Sequence, residues 1–178
     1  MARIDLFLDL DKVLQEDAQD PKTGRVETFP IRNAVRALNF FINEKLKQGH
    51  HVTIVPVTSL RKDITRDELR KKFEGIGVCS GLPIVHYDDG PRDSVVARRN
   101  AKGKNDAYVI FDDQPEVYPA DDNLIAVRKN IRDMVTGITS GHTQKAVELI
   151  DAQLAAAPVR NDPPRHTAST LNGPDDVA

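Results

Sequence analysis

Acids and hydroxyls stand at three places where apolar, strand-like runs come to an end. Asp9 and Asp11 close the run that begins at Arg3, Thr58 and Ser59 follow Val52 to Val57, and Asp112-Asp113 follow Ala107 to Phe111. If these runs are parallel strands of one open sheet, their carboxyl ends face a common crevice, which is where such sheets bind ligands. Carboxylates gathered there repel one another unless a cation joins them, and Mg²⁺, which takes oxygen ligands, suits the set. A carboxylate held in that way can attack phosphorus and form an aspartyl phosphate. A second carboxyl two residues along the same extended segment can protonate the leaving oxygen and then activate the hydrolytic water. A hydroxyl and a cationic side chain bind the remaining phosphoryl oxygens.

The elements that must position these residues are legible in outline. Arg3 to Leu10 is nearly continuous in large apolar side chains and reads as a buried strand. Residues 15–29 are polar and turn-rich, a loop or small flap. A helix follows with Pro30 in its first turn, apolar at Ile31, Val35, Leu38, Ile42 and Leu46, and ends at Gly49. Val52 to Val57 is a second strand, with Pro56 removing one ladder donor near its end. Thr65-Arg66-Asp67-Glu68 has the form of a capping box, so a helix runs from there to about Phe73. Leu82 to Tyr87 is expected as a third strand, Pro91 to Lys102 as a helix, Ala107 to Phe111 as a fourth strand and Leu124 to Val127 as a fifth. A last helix is expected from Thr143 to Ala156. Strands that are apolar on both faces and alternate with helices predict an α/β, Rossmann-like three-layer sandwich around a mainly parallel five-stranded sheet. The domain is expected to span residues 1–157. Residues 158–178 hold four of the eleven prolines and few large apolar groups, which predicts a disordered tail.

Phe7-Leu8-Asp9-Leu10-Asp11-Lys12-Val13-Leu14 resembles the first motif of the haloacid dehalogenase superfamily of phosphohydrolases. Ile54 to Ser59 resembles its second motif, a strand ending in Thr or Ser, and Tyr108 to Asp113 its fourth, a strand ending in paired acids. The resemblance covers roughly residues 3–156. Thr58-Ser59-Leu60-Arg61, Asp112-Asp113 and Gly137-Ile138-Thr139 are closest in pattern to the small capless domains of bacterial and phage RNA-repair proteins. The resemblance implies a Mg²⁺-dependent phosphomonoester hydrolase, with Asp9 as nucleophile and Asp11 as general acid/base. Thr58 would bind the phosphoryl group, and Ser59, Arg61 and Lys12 would contact substrate. Asp9, the Asp11 backbone carbonyl, Asp112 and Asp113 would hold the metal. Lys12 stands where the family often has glycine. The third motif, a lysine, has no single match: Arg92, Arg98, Arg99, Lys102 and Lys104 all lie in the interval, with Arg92 favoured by its place at a helix start and Lys102 by residue type. The family carries its large caps after the first motif or between the second and third. Neither interval here has room for one, so an open site and large substrates such as nucleic-acid ends are expected, with nucleotides as the smaller option.

The whole chain bounds these expectations. Its 178 residues fit one domain, and 39% apolar content argues against disorder throughout. No run of 18 apolar residues would span a membrane, and Asp5 and Asp9 interrupt the first apolar stretch, so no signal peptide is expected there. The one cysteine, Cys79, excludes an internal disulfide framework and a multi-cysteine zinc site; the setting that follows is reducing and cytoplasmic. With 25 basic and 27 acidic residues the net charge is -2, which opposes nucleic-acid binding by bulk electrostatics. The distribution is uneven, with eleven Lys/Arg against seven Asp/Glu from Arg61 to Lys104, then six acids and no bases from Asn105 to Ile125. A basic rim that includes Arg61, Lys62 and Arg70-Lys71-Lys72 is therefore expected beside an acidic pocket. Two competing classes are a related binding module without turnover, and a receiver-like phosphoacceptor domain, for which Asp88-Asp89 would lie near the acceptor position.

Overall fold

In the computed structural model the apolar runs become parallel strands side by side. The structure describes residues 1–156 apart from 20, 104, 120 and 128–136; the expected tail and Lys104 lie outside the described residues. Strand β1 is Arg3–Leu8, β2 Gln15–Gln19 and β3 Val26–Pro30; helix α1 is Arg32–Lys47. Then come β4 (His51–Pro56), a 3-10 turn (Ser59–Lys62), α2 (Arg66–Gly75), α3 (Arg92–Ala101) and β5 (Ala107–Asp112). A second 3-10 turn (Pro115–Val117), β6 (Leu124–Ala126) and α4 (Ser140–Ala156) complete the order.

The main sheet has four strands in the order β4-β1-β5-β6, all parallel. Central β1 pairs with β4 from Arg3↔His51 to Leu8↔Pro56 and with β5 from Ile4↔Ala107 to Leu8↔Phe111. Strand alternation sorts its side chains between two cores. Ile4, Leu6 and Leu8 pack with residues of α1, α2 and α4, whereas Phe7 packs on the other face with Val95 and Val96 of α3. Asp5 falls on the α3 face too, where its carboxylate takes two hydrogen bonds from Arg99, from Nε at 2.6 Å and Nη2 at 3.0 Å. Asp9 continues that register: its N–H donates to Phe111 O at 3.0 Å. Helices on both faces of a parallel sheet make the arrangement Rossmann-like.

Among the described residues the main sheet has no fifth full strand. Ile84 makes one bridge to Ile54, flanked by hydrogen bonds from Ile54 N to Pro83 O and from Val85 N to Ile54 O, each 2.9 Å. Pro83 has no N–H for the ladder, and the polar His86-Tyr87-Asp88-Asp89 run leaves it. The segment expected as a loop or small flap, 15–29, is an antiparallel hairpin, with β2 paired to β3 from Gln15↔Pro30 to Gln19↔Val26. Only Gln15 of its ten strand residues is buried. Hydrophobic periodicity could not reveal strands with no core face; their backbone ladder and the Thr28 Oγ1 to Asp17 Oδ1 bond (2.7 Å) hold them.

Local signals set most helix ends. Thr65 and Glu68 close the expected capping box at the start of α2. Pro30 ends β3 and α1 begins two residues later, at Arg32. Helix α4 begins three residues before the expected Thr143. The Thr139 N–H donates to His142 Nδ1 at 3.1 Å and the His142 N–H to Thr139 Oγ1 at 3.3 Å, a reciprocal pair that caps the first turn.

Gly137 is the most closely packed of the described glycines. Its φ is +79°, and a Cβ there would lie 2.7 Å from Val13 O and 2.8 Å from the Ala34 Cβ. Gly137→Ala should therefore cost about 3 kcal/mol, from left-handed strain and overpacking together. Urea denaturation reads this directly, and a loss under about 1 kcal/mol would show that the contact yields easily.

Candidate functional site

Two neighbouring strands of the sheet deliver the acids. Asp9 stands at the end of β1 and is 1% exposed; Asp112, the last residue of β5, is 0% exposed. With Asp113, their carboxylates bring one oxygen each to within 4.8 Å of one another. The groups around them hold each in place. Asp9 Oδ1 accepts the Leu10 N–H at 2.8 Å. Asp112 accepts the Gln114 N–H on Oδ1 at 2.9 Å and the Tyr118 hydroxyl on Oδ2 at 2.8 Å. Tyr118 is buried, and burial together with the Asp112 charge pushes its phenol far above the usual range. It therefore remains a hydrogen-bond donor to Asp112.

Arg92, the first residue of α3, crosses the cluster. Its Nη1 lies 2.8 Å from Asp9 Oδ2, 2.6 Å from Asp112 Oδ1 and 2.8 Å from Asp112 Oδ2. Lys12 Nζ lies 3.3 Å from Asp113 Oδ2. Two cations against three carboxylates leave the cluster with excess negative charge. Burial raises the Asp9 pKa, Arg92 pulls it back, and Asp112 and Asp113 push it up again, to about 6 in balance. All the donors are oxygen, as Mg²⁺ requires, and the charge they leave uncompensated favours a divalent cation, so the residues fit that ion.

The other candidates for the third motif go elsewhere. Arg98 pairs with Asp89 at 2.8 Å and lies over the Tyr87 ring at 5.1 Å, and Lys102 lies 5.4 Å from the same ring. Arg99 is spent on Asp5. Among the described candidates only Arg92 reaches the acids.

Strand β4 lies beside β1, where the Val57 N–H donates to Leu8 O at 2.9 Å, so Thr58 comes to the strand end adjoining Asp9 and Leu10. Thr58 is fully buried, and its hydroxyl has no hydrogen-bond partner. Ser59 is exposed at the start of the 3-10 turn. Arg61 is not on the rim expected for it, being 1% exposed. Its leucine neighbour and the 3-10 turn direct it inward, where Nη1 donates to Thr58 O at 3.1 Å and Nη2 to Gly90 O. Its Nε has no partner, and no carboxylate forms a salt bridge with it among the described residues. Burial and then the charge of Arg92 lower its pKa. Lys62 and Lys71 are exposed, as a basic rim needs.

Asp11 is exposed and its side chain does not join the three-carboxylate cluster. Its Oδ1 accepts 2.6 Å from Gln15 Nε2. Lys12 adopts φ +60°, a left-handed conformation that glycine takes without strain, and its ammonium lies against Asp113. Asp88 and Asp89, the receiver-like pair, are exposed and outside the cluster. Sequence reasoning missed Gln15, Tyr118 and the Gln114 N–H. Tyr118 follows Asp112 by six residues across a Pro-containing turn, a spacing with no periodic signature. No helix among the described residues is long and apolar enough to cross a membrane. No family model matches the chain, and neither does any curated protein.

Proposed function

We propose that the chain is a Mg²⁺-dependent phosphomonoester hydrolase of the haloacid dehalogenase type, working through an aspartyl phosphate on Asp9. The observation that carries this reading is the convergence of Asp9, Asp112 and Asp113 at adjacent parallel strand ends, with Arg92 across the first two. A buried hydroxyl without a partner on Thr58 and a buried guanidinium without a carboxylate on Arg61 support it. Both are costly unless an anion completes them, and a phosphoryl group supplies acceptor oxygens for each.

In this mechanism Asp9 attacks phosphorus as the ester P–O bond breaks, and Asp11 gives its proton to the departing oxygen. Water then attacks the acyl phosphate while Asp11 takes a proton from it, releasing inorganic phosphate and restoring Asp9. Thr58 donates to a phosphoryl oxygen, and Arg92 and Arg61 offset the charge that gathers on the others. Asp9, Asp112, Asp113 and the Asp11 carbonyl would hold Mg²⁺, which supplies the charge that lets one anion approach another. Ser59 and Lys12 stand at the mouth as substrate contacts. With only the β2–β3 hairpin after the first motif and a short turn and helix after the second, the site is uncapped. That suits terminal phosphates on nucleic acids, with nucleotides as the smaller class, in a cytoplasmic setting.

The test is hydrolysis of p-nitrophenyl phosphate with Mg²⁺, and its loss in EDTA, followed by a panel that includes 5′- and 3′-phosphorylated oligonucleotides. Mg²⁺ at roughly 100 times its Kd should also stabilise the fold by about 2.7 kcal/mol, read as a raised Tm. Phosphate binding without hydrolysis across the panel would favour a binding module instead.

A further inference from the structure

We propose that Gln15 is a positioning residue that fixes which oxygen of Asp11 carries the transferable proton; this rests on the hydrolase reading above. Gln15 is 3% exposed, yet it begins a hairpin whose other nine strand residues are exposed. An amide buried at the foot of a solvated hairpin is costly unless it is bonded, and its Nε2 donates to Asp11 Oδ1 at 2.6 Å. Among the described residues no other hydrogen bond or ion pair is made by the Asp11 side chain.

The backbone leaves this pair little freedom. The Leu14 and Gln15 N–H groups both donate to Leu10 O, at 2.9 and 3.0 Å, and the Lys12 N–H donates to Gln15 O at 2.6 Å. Lys12 takes the left-handed conformation that closes the turn, and Asp11 and Gln15 form an isolated bridge. The backbone therefore sets the two residues side by side, within reach of the single side-chain bond.

The consequence for chemistry follows from the direction of the bond. An amide N–H cannot accept a proton, so while it occupies Oδ1 the oxygen of Asp11 left to give and take a proton is Oδ2. When the ester P–O bond breaks, that proton passes to the leaving oxygen and the electron pair of the O–H bond stays on Oδ2. The same oxygen then takes a proton from the attacking water, and the cycle closes. Without Gln15 an exposed carboxyl samples several rotamers and both proton positions, and few of these face the leaving group.

The experiment compares kcat/KM on two esters. p-Nitrophenolate departs without a proton, whereas an alkoxide such as that of ethyl phosphate needs one. Gln15→Met, which keeps the length and removes the donor, should lower kcat/KM on ethyl phosphate about 10–100-fold and on p-nitrophenyl phosphate less than about 3-fold. In an Asp11→Asn background the same substitution should cost nothing further on either ester. If Gln15→Met does not fold, Gln15→Asn, which withdraws the amide by one methylene, should show the same selective loss. Equal losses on the two esters, or a further loss in the Asp11→Asn background, overturn the proposal alone. A wild-type chain inactive on both esters overturns the hydrolase reading and the proposal with it.

Discussion

Asp9→Asn should abolish turnover, by at least about 10⁴-fold in kcat, while the chain still folds. The amide is a poor nucleophile toward phosphorus, and no other carboxylate of the cluster takes its position at the end of β1. Stability should change little for reasons on both sides. The substitution gives up one bond to Arg92 but leaves Arg92 on Asp112, 2.6 Å away, and the asparagine carbonyl still accepts the Leu10 N–H. It also removes a charge that burial disfavours. Steady-state kinetics with a thermal melt check both halves. Acid-quenched wild-type protein, after reaction with substrate, should carry a hydroxylamine-labile phosphoryl group that the variant lacks. Activity near the wild-type level in Asp9→Asn would exclude the covalent route.

Arg92→Met should be the most damaging substitution for stability in the absence of metal. It leaves Asp9 and Asp112 buried and facing one another without the guanidinium between them. Removing one partner from a buried ionic cluster costs about 3–5 kcal/mol, and Arg92, 15% exposed, is near the buried limit. Mg²⁺ should recover more stability in this variant than in the wild type, because it relieves a larger repulsion. Activity should fall about 10²–10³-fold, since the charge built up on phosphorus loses one fixed counter-charge. Arg92→Lys should keep most of the stability and only part of the activity, because one ammonium cannot reproduce the planar reach of a guanidinium. Urea melts in EDTA and in Mg²⁺ separate these outcomes. An unchanged midpoint for Arg92→Met in EDTA would show that the cluster is not held by this charge.

What the sequence made legible follows from what periodicity and strand-end chemistry can encode. The four strands of the main sheet are apolar on two faces, so their runs stand out, and the acids that terminate two of them stand out by contrast. The hairpin at 15–30 has no buried face beyond Gln15 and so no pattern to find. Segment 82–87 has strand-like composition, but pairing is a tertiary matter, and Pro83 together with the polar run after Tyr87 limits it to one bridge. The charge of Arg61 could be read, but not its direction; a 3-10 turn turns it beneath Thr58 rather than toward solvent. The helix start favoured Arg92 over its basic neighbours, and the fold adds that Arg98, Arg99 and Lys102 are engaged away from the acids.

Helix α3 meets β1 at two points. Arg99 grips Asp5 and Arg92 grips Asp9, so the helix runs antiparallel to the strand and is clamped to it at both ends. The rise between the two arginines is about 10.5 Å. The strand advances about 13 Å over the matching acids, a difference that long side chains absorb. The pair works as a caliper, with Asp5–Arg99 as the fixed jaw and Asp9–Arg92 as the measuring one. The separation between cation and carboxylate at the strand end is thus gauged from the opposite end of the sheet, by a rigid helix rather than by the loops that surround the crevice.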